Sequence, residues 1–174
     1  MSKTLLILGG ARSGKSSFAL SEASAMNGKK AFVATAEALD DEMLARIAQH
    51  RNERSQDWNT FEEPVELPAL ISRIAPDHDI VLVDCLTLWV SNILVRELPF
   101  GRYSDQFLNA ITQQAHADLF IVSNEVGLGL VPDTAIGREY RDNLGRLNAG
   151  IAAISTDVYF MAAGIPMKIK GAVS

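Results

Sequence analysis

Eight residues near the N-terminus, Gly9-Gly10-Ala11-Arg12-Ser13-Gly14-Lys15-Ser16, constrain this chain more than any other stretch. They fit G-x-x-x-x-G-K-[ST], the pattern of a phosphate-binding loop, or P-loop. Gly9 and Gly14 let the backbone turn with positive φ and come close to a polyphosphate. The loop N–H groups then surround the β-phosphate, and the following helix adds the positive end of its dipole. Lys15 supplies a mobile cation for the β/γ oxygens, and the Ser16 hydroxyl suits Mg²⁺. The flanks agree with this reading. Leu5-Leu6-Ile7-Leu8 is an apolar run of strand length, and Ser17–Met26 reads as a helix with Phe18, Ala19, Ala23 and Met26 on one face. The competing reading is a Gly-rich turn with a purely structural role.

A strand, a P-loop and a helix in that order call for an α/β fold, and the rest of the chain continues the alternation. Strands are expected at Ala31–Thr35, Ile80–Val83 and Leu119–Val122. Helices are expected at Leu39–Arg54, Val65–Ile74, Leu86–Glu97, Ser104–His116 and Thr134–Ile154. Trp58–Pro64, Pro99–Tyr103 and Ser123–Asp133 read as connections. Val158–Met161 and Met167–Lys170 flank Gly164-Ile165-Pro166, the pattern of a C-terminal hairpin. The expected architecture is a P-loop NTPase-like, mostly parallel sheet with helices on both faces and a C-terminal antiparallel hairpin. With 174 residues and no repeat or linker, residues 1–174 read as one catalytic domain.

Charge and composition exclude several functions. A net charge of −5 argues against a nucleic-acid-binding surface. No run approaches the ~20 apolar residues of a membrane span, and the apolar run before the glycines is too short for a signal peptide. The single cysteine, Cys85, excludes an internal disulfide and a cysteine-rich zinc site. A cytoplasmic location is the default that follows.

A second landmark is Asp84, an acid that ends a four-residue apolar strand. In open α/β sheets ligands bind beyond the carboxyl ends of the strands, so Asp84 should face the P-loop and reach Mg²⁺ directly or through water. The alternative is an aspartate that caps the next helix. On the C-terminal helix, Tyr140, Leu144, Leu147, Ile151 and Ile154 form an apolar stripe. Arg138, Arg141 and Arg146 lie off that stripe, either solvated beside Asp142 or reaching a phosphate. His78 and His116 sit near a turn and a helix end, and His50 lies near the end of its helix; none declares a role by spacing alone. A regulatory GTPase is disfavoured because N-K-x-D is absent and the D-x-x-G match, Asp142–Gly145, falls inside a helix. A RecA-like motor is disfavoured by the small acidic chain. A small-molecule kinase fits best.

Beyond the P-loop, further blocks follow in a specific order. They are Ala34-Thr35-Ala36, Asp40–Met43 with Arg46-Ile47 and His50-Arg51, then Trp58, Thr60 and Glu62. Asp84–Thr87 with Asn92 comes next, followed by Ser123–Gly127, Val131-Pro132, Arg138 with Arg141-Asp142, Gly145–Asn148, and Gly164–Pro166 with Lys168. With these blocks the chain resembles, over nearly its whole length, the bifunctional adenosylcobinamide kinase/adenosylcobinamide-phosphate guanylyltransferase family of cobalamin biosynthesis. The resemblance implies two reactions. A nucleoside triphosphate, ATP or GTP, phosphorylates the aminopropanol hydroxyl of adenosylcobinamide. GTP then gives a guanylyl-histidine at His50, and the corrinoid phosphate accepts the GMP to form adenosylcobinamide-GDP. A neutral imidazole suits that nucleophilic role near pH 7. The resemblance also implies nucleotide contacts at Ala34, Thr35, Ala36, Arg51, Asn52, Glu53, Arg54, Glu62 and Asp84, with Asp84 on either metal or nucleoside, and assembly as a homotrimer. Ala36 and Ala149 depart from the residues common in the family, Ser and Gln. Loss of one of the two activities, or a non-catalytic nucleotide-binding role, are the alternatives.

Overall fold

The computed structural model describes residues 2–37 and 57–172. The helix expected over Leu39–Arg54 lies outside them, with His50, Arg51, Asn52, Glu53 and Arg54. The described strands are β1 (Thr4–Gly9), β2 (Lys30–Ala34), β3 (Trp58–Glu62), β4 (Ile80–Asp84), β5 (Asp118–Val122), β6 (Asp157–Ala162) and β7 (Ile165–Lys170). They form one sheet in the order β3-β2-β4-β5-β1-β6-β7. All neighbours pair in parallel except β6 and β7, which form the antiparallel hairpin expected from the turn residues. The positive φ of Ala163 and Gly164 makes that turn.

Alternation along the strands explains the layers. Leu6, Leu8, Val33, Val81, Val83, Leu119 and Ile121 point to one face, and Ile7, Phe32, Ile80, Leu82, Phe120 and Val122 to the other. The first face is covered by α2 (Leu67–Ile74), α3 (Leu86–Val95), α4 (Phe100–Gln113) and α5 (Ala135–Ile154). The second face takes α1 (Lys15–Ala25), which buries Ala19 and Ala23 while Phe18 and Met26 pack at the margin. The α5 stripe holds at Leu144, Leu147 and Ile151, and Tyr140 is partly buried. Ile154 is 41% exposed because the helix ends there and the chain turns into β6.

Two segments read as connections are regular structure. Trp58–Glu62 is edge strand β3, hidden in the sequence because it gives each face only one aromatic residue, Trp58 to one and Phe61 to the other. Trp58 is buried edge-on against Phe32, their rings 6.2 Å apart, while Asn59, Thr60 and Glu62 face solvent. Pro99–Tyr103 is not a loop either, since α4 already starts at Phe100 with Pro99 as its N-cap. A proline there forfeits no helical bond, and its carbonyl accepts from Arg102 N–H at 3.0 Å.

The hairpin is pinned by Lys168, whose ammonium donates to Asp157 Oδ1 at 2.7 Å. That hydrogen bond holds the Asp157 carboxyl below its usual range. A depressed carboxyl pKa contributes stability above its unfolded value, about 3.9, and loses it as pH falls through the folded value. Asp157→Asn should therefore lower the denaturant midpoint at pH 7. The gap from the wild type should close as the pH is taken below about 4 in chemical-denaturation curves.

Candidate functional site: a P-loop and an acidic strand end on one sheet edge

The carboxyl end of β1 runs into the P-loop, and the loop closes onto α1. Gly9 has φ +154°, and a Cβ there would lie 2.7 Å from both Met161 O and Ser13 Oγ. Gly14 is the N-cap of α1 with φ +89°, a left-handed conformation that glycine adopts without strain. Phe18 N–H makes the return bond to Gly14 O at 2.9 Å. The amides ahead of it, from Lys15 to Ser17, have no intrahelical acceptor and form the positive end of the helix. Gly10, Ala11 and Arg12 are exposed, and Ser16 is half-buried. Ser13 is buried, and its carbonyl accepts from Gly164 N–H at 3.1 Å, so the hairpin turn braces the loop.

Lys15 is 7% exposed, and its Nζ donates to Gly10 O at 2.6 Å, arching back over the loop. Burial pulls its pKa below the ordinary lysine value, while Cys85 and Asp84 push it back up. The strand end carrying Asp84 lies at the same edge of the sheet as the loop lysine. The sheet register accounts for this. Asp84 pairs with Val122 of β5, which pairs in turn with Ile7 of β1. On its other side Asp84 aligns with Ala34, and Ala34 with Glu62. Ala34, Glu62 and Asp84 thus share one row across the edge, with half-buried Ala36 just beyond. The residue at the N-cap position of the following helix is Cys85, one beyond Asp84.

Thr35 differs from the other residues of that row. It is fully buried, and its hydroxyl donates to Cys85 O at 2.6 Å and accepts from Cys85 N–H at 3.0 Å. Its N–H donates to Asp84 O, and its carbonyl accepts from Asn92 Nδ2 at 2.9 Å. Every polar group of Thr35 already has a partner in the protein, so what its side chain does is hold the Asp84–Cys85 backbone. Cys85 is half-buried, and burial followed by the neighbouring Asp84 charge raises its pKa, so the thiol keeps its proton.

The remaining candidates separate clearly. Arg138 donates to the carbonyls of Pro132 and Asp133, closing the loop before α5, and Arg141 pairs with Asp142 at 3.0 Å. His78 is buried, its Nδ1 2.8 Å from Ile74 O and its Nε2 3.0 Å from Asn59 Nδ2; His116 lies 3.7 Å from Asp79. Both are structural or peripheral. A group not apparent from spacing is the clamp around Asn124. Its N–H donates to Thr87 Oγ1 at 3.1 Å, and its carbonyl accepts from Asn148 Nδ2 at 2.9 Å. Tyr140 Oη in turn donates to Thr87 O at 3.3 Å, and its pKa is pushed up to about 12 by burial and then by Cys85. The phenol therefore keeps its proton across the working pH range. The signal was present in the buried Asn148 at a polar position beside the apolar stripe of α5.

A buried lysine and an acidic strand end beside unsatisfied helix amides form a site for a polyphosphate. Residues 5–169 match the family described as cobinamide kinase / cobinamide phosphate guanyltransferase. The chain belongs to that family. It is therefore an enzyme of the bifunctional kinase and guanylyltransferase type. One relative is the bifunctional adenosylcobalamin biosynthesis protein CobP of Pseudomonas aeruginosa, 42% identical over 167 residues, covering 95% of this chain and 96% of the relative. Another is the bifunctional adenosylcobalamin biosynthesis protein CobU of Escherichia coli K12, 36% identical over 186 residues, covering 95% of this chain and 99% of the relative. Among solved structures, the type III secretion ATPase EscN of enteropathogenic E. coli superposes with a TM-score of 0.59 at 9% identity, over 93% of this chain and 43% of that one. At that identity the likeness speaks for the P-loop NTPase fold alone. No helix of the described residues is long and apolar enough to cross a membrane.

Thr35→Val keeps the shape of the side chain but leaves the Cys85 N–H and C=O without their shared partner. It should cost about 1–3 kcal/mol of stability, read from chemical-denaturation midpoints.

Proposed function

We propose that this chain phosphorylates adenosylcobinamide and then guanylylates the product, using the sheet edge that carries Gly9–Ser16 and Asp84 for the nucleotide. The observation that carries this reading is the sheet register, which sets Asp84 and the P-loop with its buried Lys15 at one edge, in a chain of this family. In the first step the aminopropanol hydroxyl attacks the γ-phosphorus of ATP or GTP. The new O–P bond replaces the bond to the β–γ bridging oxygen, the nucleoside diphosphate leaves, and the hydroxyl proton passes to solvent. Lys15 neutralises charge on the transferring group, and the loop amides hold the β-phosphate.

In the second step His50 attacks the α-phosphorus of GTP. An N–P bond forms, the bond to the α–β bridging oxygen breaks, and pyrophosphate leaves. The corrinoid phosphate oxygen then displaces the histidine to give adenosylcobinamide-GDP. Ala34, Ala36, Glu62 and the segment Arg51, Asn52, Glu53 and Arg54 are the proposed nucleoside and phosphate contacts, with Thr35 supporting them through Cys85.

Mg²⁺ enters with the nucleotide in this reading. Among the described residues no group of three His, Cys, Asp or Glu side chains could hold a metal. That suits a hard cation carried mainly by phosphate oxygens, with Ser16 and Asp84 adding oxygen donors. When bound it would neutralise charge on the phosphates. The proposal includes one catalytic domain, a cytoplasmic location and a homotrimer. In support of assembly, Ile165, Met167 and Ile169 stand exposed on edge strand β7 as an apolar row that a second copy would cover.

Intact-protein mass spectrometry after incubation with GTP should show one added GMP, retained on the peptide containing His50 and absent from His50→Ala. A persistent acid-labile adduct in that variant would move the nucleophile elsewhere. Lys15→Ala should lower phosphorylation of adenosylcobinamide by two or more orders of magnitude, measured by chromatography of the corrinoid product.

A further inference from the structure

Strand β5 lies between β1 and β4, so it separates the P-loop strand from the Asp84 strand by two strand spacings, roughly 10 Å. Whatever the triphosphate extends beyond the β-phosphate must occupy this gap, between the loop amides on one side and Asp84 on the other. Three residues leave β5 into the gap: Ser123, Asn124 and Glu125. Ser123 N–H donates to Ile7 O, and Glu125 N–H donates to Gly9 O, each at 3.0 Å, which fixes the segment against the P-loop. The Ser123 side chain is fully buried and cannot reach a ligand from outside. Glu125 turns its Oε1 to the N–H of Gly127 at 2.6 Å, within its own loop.

Asn124 is different. It is half-buried, and its side-chain amide makes no hydrogen bond among the described residues. Its backbone is held on both sides by side chains from separate helices, Thr87 of α3 and Asn148 of α5. Asn148 is itself 4% exposed, and Tyr140 of α5 reaches the backbone of Thr87. Two side chains thus immobilise the backbone of a residue whose own amide stays unengaged, and a third, Tyr140, anchors one of the two. That arrangement is costly to bury and serves orientation, because polar groups held by a rigid surround lose no reorganisation energy when charge develops beside them.

We propose that the side-chain amide of Asn124 is a catalytic group of the kinase step, donating a hydrogen bond to an oxygen of the transferring γ-phosphoryl group. Thr87 and Asn148 are its positioning residues. An amide suits this place beside Asp84, because it donates without carrying a charge that the carboxylate would neutralise. The proposal rests on the kinase reading given above.

The test compares the wild type with Asn124→Ala and Asn124→Asp in the phosphorylation of adenosylcobinamide. Each protein is also titrated with ATP and with ADP–aluminium fluoride, the latter in the presence of the corrinoid. Both variants should lose about 10²- to 10³-fold in kcat, with KM for ATP within about threefold of the wild type. Binding of the aluminium fluoride complex should weaken by a similar factor, while ATP binding and the melting temperature hold. Asn148→Ala should lower kcat by a smaller factor and add nothing to Asn124→Ala in the double variant, because the two act through one group. A kcat within threefold of the wild type in Asn124→Ala overturns the proposal. So does an equal weakening of ATP and of the aluminium fluoride complex, which marks a ground-state contact. Wild-type protein that forms no adenosylcobinamide phosphate overturns the kinase reading and this proposal with it.

Discussion

The parallel ladder β4-β5-β1 is the constraint on which the rest of the site depends. Its backbone bonds set Asp84, Val122 and Ile7 in one row, and everything functional is counted outward from that row. The P-loop begins two residues beyond it on β1, and the Asn124 segment two residues beyond it on β5. Because both faces of such a sheet are covered, its strands are nearly continuous apolar runs. Its polar chemistry is forced to the carboxyl edge, where the ladder ends. Function and core are thereby separated along the strand rather than across it.

That edge is kept in shape by hydrogen bonds from side chains that face inward. Thr35 holds the backbone of Cys85, Asn92 bonds the carbonyls of Thr35 and Pro64, and Trp89 Nε1 donates to Val65 O at 2.8 Å. Each ties a loop after one strand to the next strand or helix. A polar group buried without a partner costs on the order of 1–3 kcal/mol, so these residues are poor candidates for neutral replacement even where they touch no substrate.

Much of this was legible in the sequence, for identifiable reasons. The P-loop is readable because its glycines and lysine have no substitutes, and β1, β4 and β5 because buried parallel strands are compact apolar runs. The α5 stripe is readable because it repeats at helical spacing. Edge strand β3 was not, since WNTFE carries a single aromatic residue for each face, Trp58 on one and Phe61 on the other, among polar residues that break any alternation. The start of α4 was hidden because proline and glycine signal a break in isolation yet cost little in a first turn. Strand order cannot be read from spacing at all, and with it the neighbourhood of Asn124 stays invisible. Its partners, Thr87 and Asn148, are distant in sequence and meet only once α3 and α5 pack on the same face. His50 belongs to the reading by resemblance, and its segment lies outside the described residues.

One bond, from Gly164 N–H to Ser13 O, links segments far apart in the sequence. It makes the hairpin turn part of the floor under the phosphate loop, with Gly9 also backed by Met161 of β6. Strands β6 and β7 are therefore a keel for the P-loop. Bracing of the loop therefore depends on residues far downstream in sequence, so a fragment that carries the whole P-loop but not the β6–β7 turn lacks the braced loop.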